Sequence, residues 1–321
     1  TPSKRLKKQI INQAFKLHSQ GNIPEATKYY QQMINQGCND HRVFSNYGAI
    51  LRGHEKLKDA EISTRKAIEL KPDFADAHSN LGIILKDLGN LKDAKQSFLK
   101  SLEIEPKSIH YISSLLDVLG RMCLWEEMEN YSDYYDRIGI EGKPIIPLDL
   151  MYLEDNPLNH LRRAKKFNNG KRIKSLPNIK YEKKDKIKIG YFSSDFRNHP
   201  VSHLISKIIE LHDSKKFQIY AYSLSDINDD YTRRIKKSVY TYRTIKELSD
   251  LEIVKLVRDD KIDIAIDLNG YTYNNRISIF HYKLAPIQVN YLGYPGTSGS
   301  DSFDYLLADK VLIPEENKKF Y

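Results

Sequence analysis

The chain reads as a helical repeat array followed by a mostly parallel α/β sheet domain, an α plus α/β architecture. Three observations predict it. Residue types recur at a spacing of 34 through the first 108 positions, strand-length apolar runs alternate with helix-length segments from residue 187 onward, and a strongly basic stretch divides the two regimes. With 321 residues there is chain enough for two units, each with its own core.

Overlaying windows 7–40, 41–74 and 75–108 aligns Ala14 with Gly48 and Gly82, and Ala26 with Ala60 and Ala94. Leu17, Leu51 and Leu85 align too, as do Tyr30, Thr64 and Phe98, and Met33, Ala67 and Ser101. Small residues let two helices approach, while the large ones fill the space between neighbouring hairpins. Pro72 and Pro106 close the second helix of their windows, with Cys38 at that place in the first. This pattern resembles the tetratricopeptide repeat, a stacked helical hairpin. Window 109–142 keeps apolar periodicity at Ile112, Leu115, Leu119 and Met128 without the small residues, and is expected to close the stack.

Asn12, Asn46 and Asn80 also recur at 34. Such a column is expected to line the concave surface, where amides both donate to and accept from an extended peptide backbone. The alternative is that each amide satisfies a local hydrogen bond.

The formal net charge of +9 is concentrated rather than spread. Residues 160 to 188 hold twelve Lys or Arg (Arg162, Arg163, Lys165, Lys166, Lys171, Arg172, Lys174, Lys180, Lys183, Lys184, Lys186, Lys188) against Glu182 and Asp185, so the remainder is near neutral. A basic connector is more often a solvated linker than a phosphate-binding surface, and no nucleic-acid motif accompanies it. Neither nucleic acid nor membrane is expected as a partner, since no run approaches the roughly 18 apolar residues of a membrane span. Cys38 and Cys123 stand alone, without the spacing of a disulfide framework or zinc cluster, which fits a cytoplasmic setting. The chain begins with Thr1 inside a helix-like pattern and stops at Tyr321 after a strand-like run, so it reads as a fragment. The expected division is an array over 1–142, a joining segment over 143–186 and an incomplete sheet domain over 187–321.

Strand candidates in the sheet domain are 187–192, 217–223, 240–245, 262–268, 287–292 and 305–308, with helices notably at 201–212, 249–260 and 275–284. Alternation of this kind places ligands beyond the carboxyl ends of parallel strands. Three loops there carry unusual residues. The first strand runs into Ser193-Ser194-Asp195-Phe196-Arg197-Asn198-His199-Pro200, where Pro200 suits the first helical turn and leaves His199 beside free backbone N–H groups. The fourth strand carries Asp263 and Asp267 before Asn269-Gly270-Tyr271-Thr272. Asp267, at the carboxyl end, is the candidate site residue and Asp263 is expected to be solvated. The fifth leads to Gly293-Tyr294-Pro295-Gly296-Thr297-Ser298-Gly299, a turn able to bring backbone close to a ligand, without the Gly-Lys-Ser/Thr ending of a nucleotide P-loop. His212 and His281 read as ordinary helix residues.

Residues 190–204, 267–272 and 284–299, together with the joining segment Met151 to Pro157 and on through His160 and Leu161 to Lys165, resemble the amino-terminal catalytic half of the O-linked N-acetylglucosamine transferase family, SPINDLY-like relatives included. The resemblance implies the first, Rossmann-like lobe of a two-lobed GT-B glycosyltransferase. It further implies inverting transfer from a nucleotide sugar to Ser or Thr of protein acceptors, with no metal and no cofactor. The donor implied is UDP-N-acetylglucosamine, or GDP-fucose as in some plant relatives, held mainly by a second lobe. His199 matches the histidine proposed in the family as catalytic base. Asn198, Pro200, His203, Asp267, Asn269, Tyr271, Gly293, Tyr294, Pro295, Gly296 and Thr297 become candidates for the substrate or sugar site, His203 as a support for His199 one helical turn away. Two other readings stand beside the transferase: a peptide-binding adaptor, and a degenerate sugar-binding scaffold.

Overall fold

A computed structural model describes residues 4–168 and 185–321. Six of the twelve basic residues named above (Lys171, Arg172, Lys174, Lys180, Lys183, Lys184) therefore lie outside the described residues. The chain divides into two compact units, Thr1–Gly142 and Lys143–Tyr321.

The first unit is four helical hairpins in sequence: α1 (Lys4–Ser19) with α2 (Ile23–Asn35), α3 (His41–Gly53) with α4 (Leu57–Leu70), α5 (Ala75–Asp87) with α6 (Leu91–Ile104), and α7 (Ile109–Arg121) with the five-residue α8 (Trp125–Glu129). The repeat columns explain the packing. Ala14, Ala26, Ala60 and Ala94 are fully buried. A methyl on Gly48 would lie 2.3 Å from Thr64 Oγ1, and one on Gly82 would lie 2.8 Å from the Phe98 ring. Thr64 and Phe98 occupy the same repeat column, so each glycine is the space that its own repeat's large residue fills. Shortening of the last hairpin to α8 accompanies loss of the small residues there.

In the second unit six parallel strands run β1 (Ile187–Ser193), β2 (Phe217–Ser223), β3 (Thr241–Thr244), β4 (Ile264–Asp267), β5 (Ile287–Tyr291) and β6 (Tyr305–Leu307), in the spatial order β3-β2-β1-β4-β5-β6. Ahead of them α9 (Pro157–Asn168) joins the same unit; between them come α10 (Pro200–Leu211), α11 (Asp230–Ser238) and α12 (Asp250–Asp259). Strand residues alternate between two cores. Ile189, Tyr191, Ile219, Ala221 and Ile266 pack with Val201, Ile205 and Ile235, whereas Phe192, Tyr220, Tyr222 and Ala265 pack with Ile253, Val254, Val257 and Phe280. Both faces are thus covered, as a parallel sheet requires.

Several expectations change. The segment at 275–284 is a 3-10 helix over Ile277–Tyr282, stopped by Lys283 at φ 56° and held by Arg258, which donates to the Tyr282 and Lys283 carbonyls. α11 is not among the helices named from the sequence, although helical stretches are expected between strands; its start is fixed by a reciprocal capping box between Asp229 and Thr232. Asp263 is not solvated: it is buried and accepts the Lys188 N–H at 2.8 Å, tying the start of β4 to β1. Nor is the basic stretch wholly a solvated face, because Arg163 of α9 is fully buried and paired with Glu154, which also accepts from Asn159. His212 accepts or donates with the Tyr191 hydroxyl at 2.8 Å at the end of α10.

Candidate active site

Strand order reverses between β1 and β4, so the loops leaving their carboxyl ends flank the crevice where open α/β sheets bind ligands. Asn269 holds these two loops together. Its Oδ1 accepts the Ser194 N–H at 2.8 Å, and its Nδ2 lies 2.8 Å from Ser194 Oγ, 3.2 Å from Asp195 Oδ2 and 2.9 Å from Thr272 Oγ1. Asp195 is buried, and its carboxylate also receives Ser194 Oγ–H and the Arg197 guanidinium, each at 3.1 Å.

His199 is the N-cap of α10, extended at φ −155° and ψ 148°, with Pro200 in the first turn. Its Nδ1 accepts the Val201 N–H at 3.3 Å and stands 3.9 Å from Asp195 Oδ2. The ring is one-third exposed. A ring whose Nδ1 accepts a backbone N–H carries its neutral-form proton on Nε2. Asn198 and Pro200 are exposed beside it. Asn198 donates its N–H to Asp229 and receives His203 Nε2–H on Oδ1 at 2.9 Å, while the His203 ring lies 4.4 Å from that of Tyr231. The His203 side chain therefore orients Asn198, while its backbone N–H donates to the His199 carbonyl at 3.1 Å.

The remaining candidates are largely interior. Asp267 accepts from Asn269 N–H (3.0 Å), Gly270 N–H (2.9 Å) and Asn290 Nδ2 (3.0 Å). Burial outweighs these donors and pushes its carboxyl up to about 6. Tyr271 is buried, its hydroxyl donating to Ser298 O and receiving Asn168 Nδ2 at 2.7 Å, so this tyrosine links α9 to the glycine-rich turn instead of facing a ligand. Tyr294 and Thr297 are buried as well. The glycines serve the same close packing: a methyl on Gly293 would lie 1.9 Å from Leu268 O, one on Gly296 2.4 Å from the Tyr294 hydroxyl, and one on Gly270, at φ +57°, 2.5 Å from Tyr294 Cβ. Backbone does come close here, but to the β4 loop. Only Pro295 of this turn is exposed, at the lip of a cavity of about 450 Å³ beyond β5 and β6 lined by Leu292, Leu306 and Leu312. A larger cavity, about 780 Å³, lies in the helical array between α2, α3 and α4.

The buried Asp267 predicts a pH effect. Its folded value is raised above the 3.8 of an unperturbed carboxyl, so the folded chain holds a proton that the unfolded chain has lost between about pH 4 and 6. Stability from this group is present below pH 3.8 and is lost as pH rises through about 6, a change of roughly 2–3 kcal/mol. Unfolding free energies of Asp267→Asn and wild type, measured across pH 4 to 7, should diverge by that amount in favour of the variant at higher pH; parallel curves would show that Asp267 titrates normally.

Sequence reasoning did not single out Asp195, although it stands four positions before His199, nor Asn168, whose amide also donates to Ser298 O at 2.9 Å. The first carried a signal in its spacing. The second did not, because a contact between residues 130 apart has no local signature.

Comparison with known proteins bears on these loops directly. Residues 170–321 match the domain described as Glycosyl transferase family 41, and residues 75–108 match the Tetratricopeptide repeat. A probable UDP-N-acetylglucosamine--peptide N-acetylglucosaminyltransferase SEC of Arabidopsis thaliana is 39% identical over 137 residues, which is 42% of this chain and 14% of the relative. The UDP-N-acetylglucosamine--peptide N-acetylglucosaminyltransferase of Caenorhabditis elegans is 40% identical over 133 residues, 40% of this chain and 11% of the relative. The aligned stretch is thus a small part of either relative. A solved mutant O-GlcNAc transferase of Thermobaculum terrenum shares the fold at a TM-score of 0.54 and 23% identity, over 100% of this chain and 57% of that one.

Proposed function

Because residues 170–321 match the Glycosyl transferase family 41 description and residues 75–108 the Tetratricopeptide repeat, we propose that this chain is the acceptor-binding array and first catalytic lobe of a protein O-glycosyltransferase. The reaction is inverting and metal-independent, moving N-acetylglucosamine from UDP-N-acetylglucosamine to a Ser or Thr hydroxyl, with GDP-fucose as the alternative donor. The setting is cytoplasmic, in keeping with the free thiols of Cys38 and Cys123. Among the described residues no helix is long and apolar enough to cross a membrane.

The observation that carries the reading is His199: an imidazole at the head of α10, on the switch-point loop and partly exposed, a side-chain type suited to proton transfer. In an inverting displacement the acceptor oxygen attacks the anomeric carbon as its bond to the donor phosphate breaks, and the hydroxyl proton goes to a base. His199 is the group we assign beside the acceptor. Asn198 and Pro200 are exposed beside it and are suited to touch sugar or acceptor. Asn269, Asp267, Tyr271 and the glycine-rich turn hold the β1 and β4 loops in place. The developing charge on the nucleoside diphosphate requires donors that a second lobe supplies.

For the acceptor, the asparagine column is the proposed handle. Asn12 is exposed, while Asn46 donates one amide hydrogen to the Tyr30 hydroxyl at 3.4 Å and Asn80 one to Ser45 Oγ at 3.0 Å. Each of those amides retains a second hydrogen, and its carbonyl oxygen can accept from a peptide N–H. At roughly 0.5–1.5 kcal/mol for each net bond, changing all three to Ala should weaken binding of an extended Ser/Thr peptide at least several-fold with helicity intact. Equal peptide affinity in the folded triple variant, measured by titration calorimetry, would favour the purely local role of these amides.

A further inference from the structure

We infer that Asp195 is the positioning residue that decides whether Nε2 of His199 donates or accepts a proton; its use in catalysis rests on the transferase reading, but its existence does not. In the structure Nδ1 accepts the Val201 N–H at 3.3 Å, so the neutral ring carries its proton on Nε2, the other nitrogen, which is then a donor. That form can hold a ligand oxygen. It cannot take a hydroxyl proton, which requires the proton on Nδ1 and a lone pair on Nε2.

A proton on Nδ1 needs an acceptor, and Asp195 Oδ2 is 3.9 Å away. The carboxylate is buried and tethered, Oδ1 to Arg197 and Oδ2 to Ser194 Oγ and Asn269 Nδ2, so it cannot swing toward the ring. The partly exposed ring makes the move instead. A shift of about 1 Å brings Nδ1–H into hydrogen-bond range. What is given up is a long bond from Val201, one of the first-turn N–H groups that have no helical partner. Among the described residues, charged or titratable groups near this face include Arg197 in the same loop, His203 one turn along α10, Tyr231 against the His203 ring and Asp229 at the head of α11, which binds the Asn198 N–H.

The proton count closes. When Nε2 takes the acceptor's hydroxyl proton, that O–H bond breaks, the ring becomes imidazolium, and Nδ1–H remains paired with an ionised Asp195. The freed oxygen pair forms the bond to the sugar as the sugar–phosphate bond breaks, and the negative charge departs on the nucleoside diphosphate. Asp195 is never protonated.

Nitrogen NMR of residues 1–321 labelled at histidine reads the two neutral tautomers directly. Wild-type His199 should show both, and Asp195→Asn, which removes the negative charge that favours a proton on Nδ1, should cut the Nδ1–H fraction about five-fold. Arg197→Ala provides a second variant, at a partly exposed position, should Asp195→Asn fail to fold. Releasing one carboxylate oxygen should raise the Nδ1–H fraction about two-fold. No detectable Nδ1–H form in the wild type, or fractions unchanged in a folded variant, would overturn the inference. Since the measurement uses no sugar donor, expected tautomers without transfer would count against the transferase reading alone, and transfer with unchanged tautomers against Asp195 alone.

Discussion

Replacing Gly293 with alanine is expected to destabilise the sheet domain by about 3 kcal/mol or more, a severe form of overpacking. The added methyl would stand 1.9 Å from Leu268 O, 2.8 Å from the Leu268 carbonyl carbon and 3.1 Å from Asn269 Cα. All three are backbone atoms, with no side chain that could rotate away, and they belong to the loop whose Asn269 holds Ser194 and Asp195. Relief therefore means separating the β4 and β5 loops, and the site should loosen with the fold. Gly53 supplies the control: nothing lies within 4 Å of its added methyl, so Gly53→Ala should be neutral or slightly stabilising. Trp125, the single tryptophan, sits in the helical array, so its fluorescence follows that unit while circular dichroism follows both. A Gly293→Ala chain as stable as wild type would mean that the two loops are not packed as described.

The second large effect concerns His199. In a protein that carries this chain followed by a nucleotide-binding lobe, His199→Ala should lower turnover about 10²-fold or more with donor affinity nearly unchanged, if the ring moves the acceptor's proton. Alanine also removes the bond to Val201 N–H, so part of any loss could come from a loosened start of α10. His199→Asn separates the two, because asparagine is a favoured N-cap and keeps an acceptor for that N–H. Both variants should lose turnover, and only the alanine should lose stability. A fall in donor affinity, with turnover preserved at saturation, would instead make His199 a binding residue.

How much of this was legible in the sequence follows from the range of each interaction. The hairpin array was, because every repeat meets the same neighbours and so repeats its small and large residues in register. Strand positions were, because strands buried on both faces need continuous apolar runs. α11 was not singled out: its buried side is only Thr232 and Ile235 among nine mostly polar residues, and the signal that defines it is the Asp229 cap. The glycine-rich turn was legible as close approach but not as to what approaches, since a glycine facing a ligand and one facing Leu268 O look alike in sequence. α9 read as part of a basic connector because Arg163 counts as a charge, whereas in the fold its partner Glu154 lies nine residues earlier and takes it inside. His199 stood out by its Asn-His-Pro setting. Asp195, in the same quoted motif, did not, because an i, i+4 relation is read as contact only within a helix and this one spans a loop.

The central claim is that these residues form one half of a protein O-glycosyltransferase. Its most direct test is transfer of label from UDP-N-acetylglucosamine, and in parallel from GDP-fucose, to Ser/Thr peptides by residues 1–321 alone and by the same chain joined to a family 41 second lobe. Positioning of donor against acceptor and stabilisation of the leaving diphosphate supply most of the rate, and both need the second lobe. The account predicts transfer from one of the two donors by the joined protein and none by the chain alone. Robust transfer by residues 1–321 alone, or no transfer from either donor by a folded joined protein that binds its donor, would contradict it.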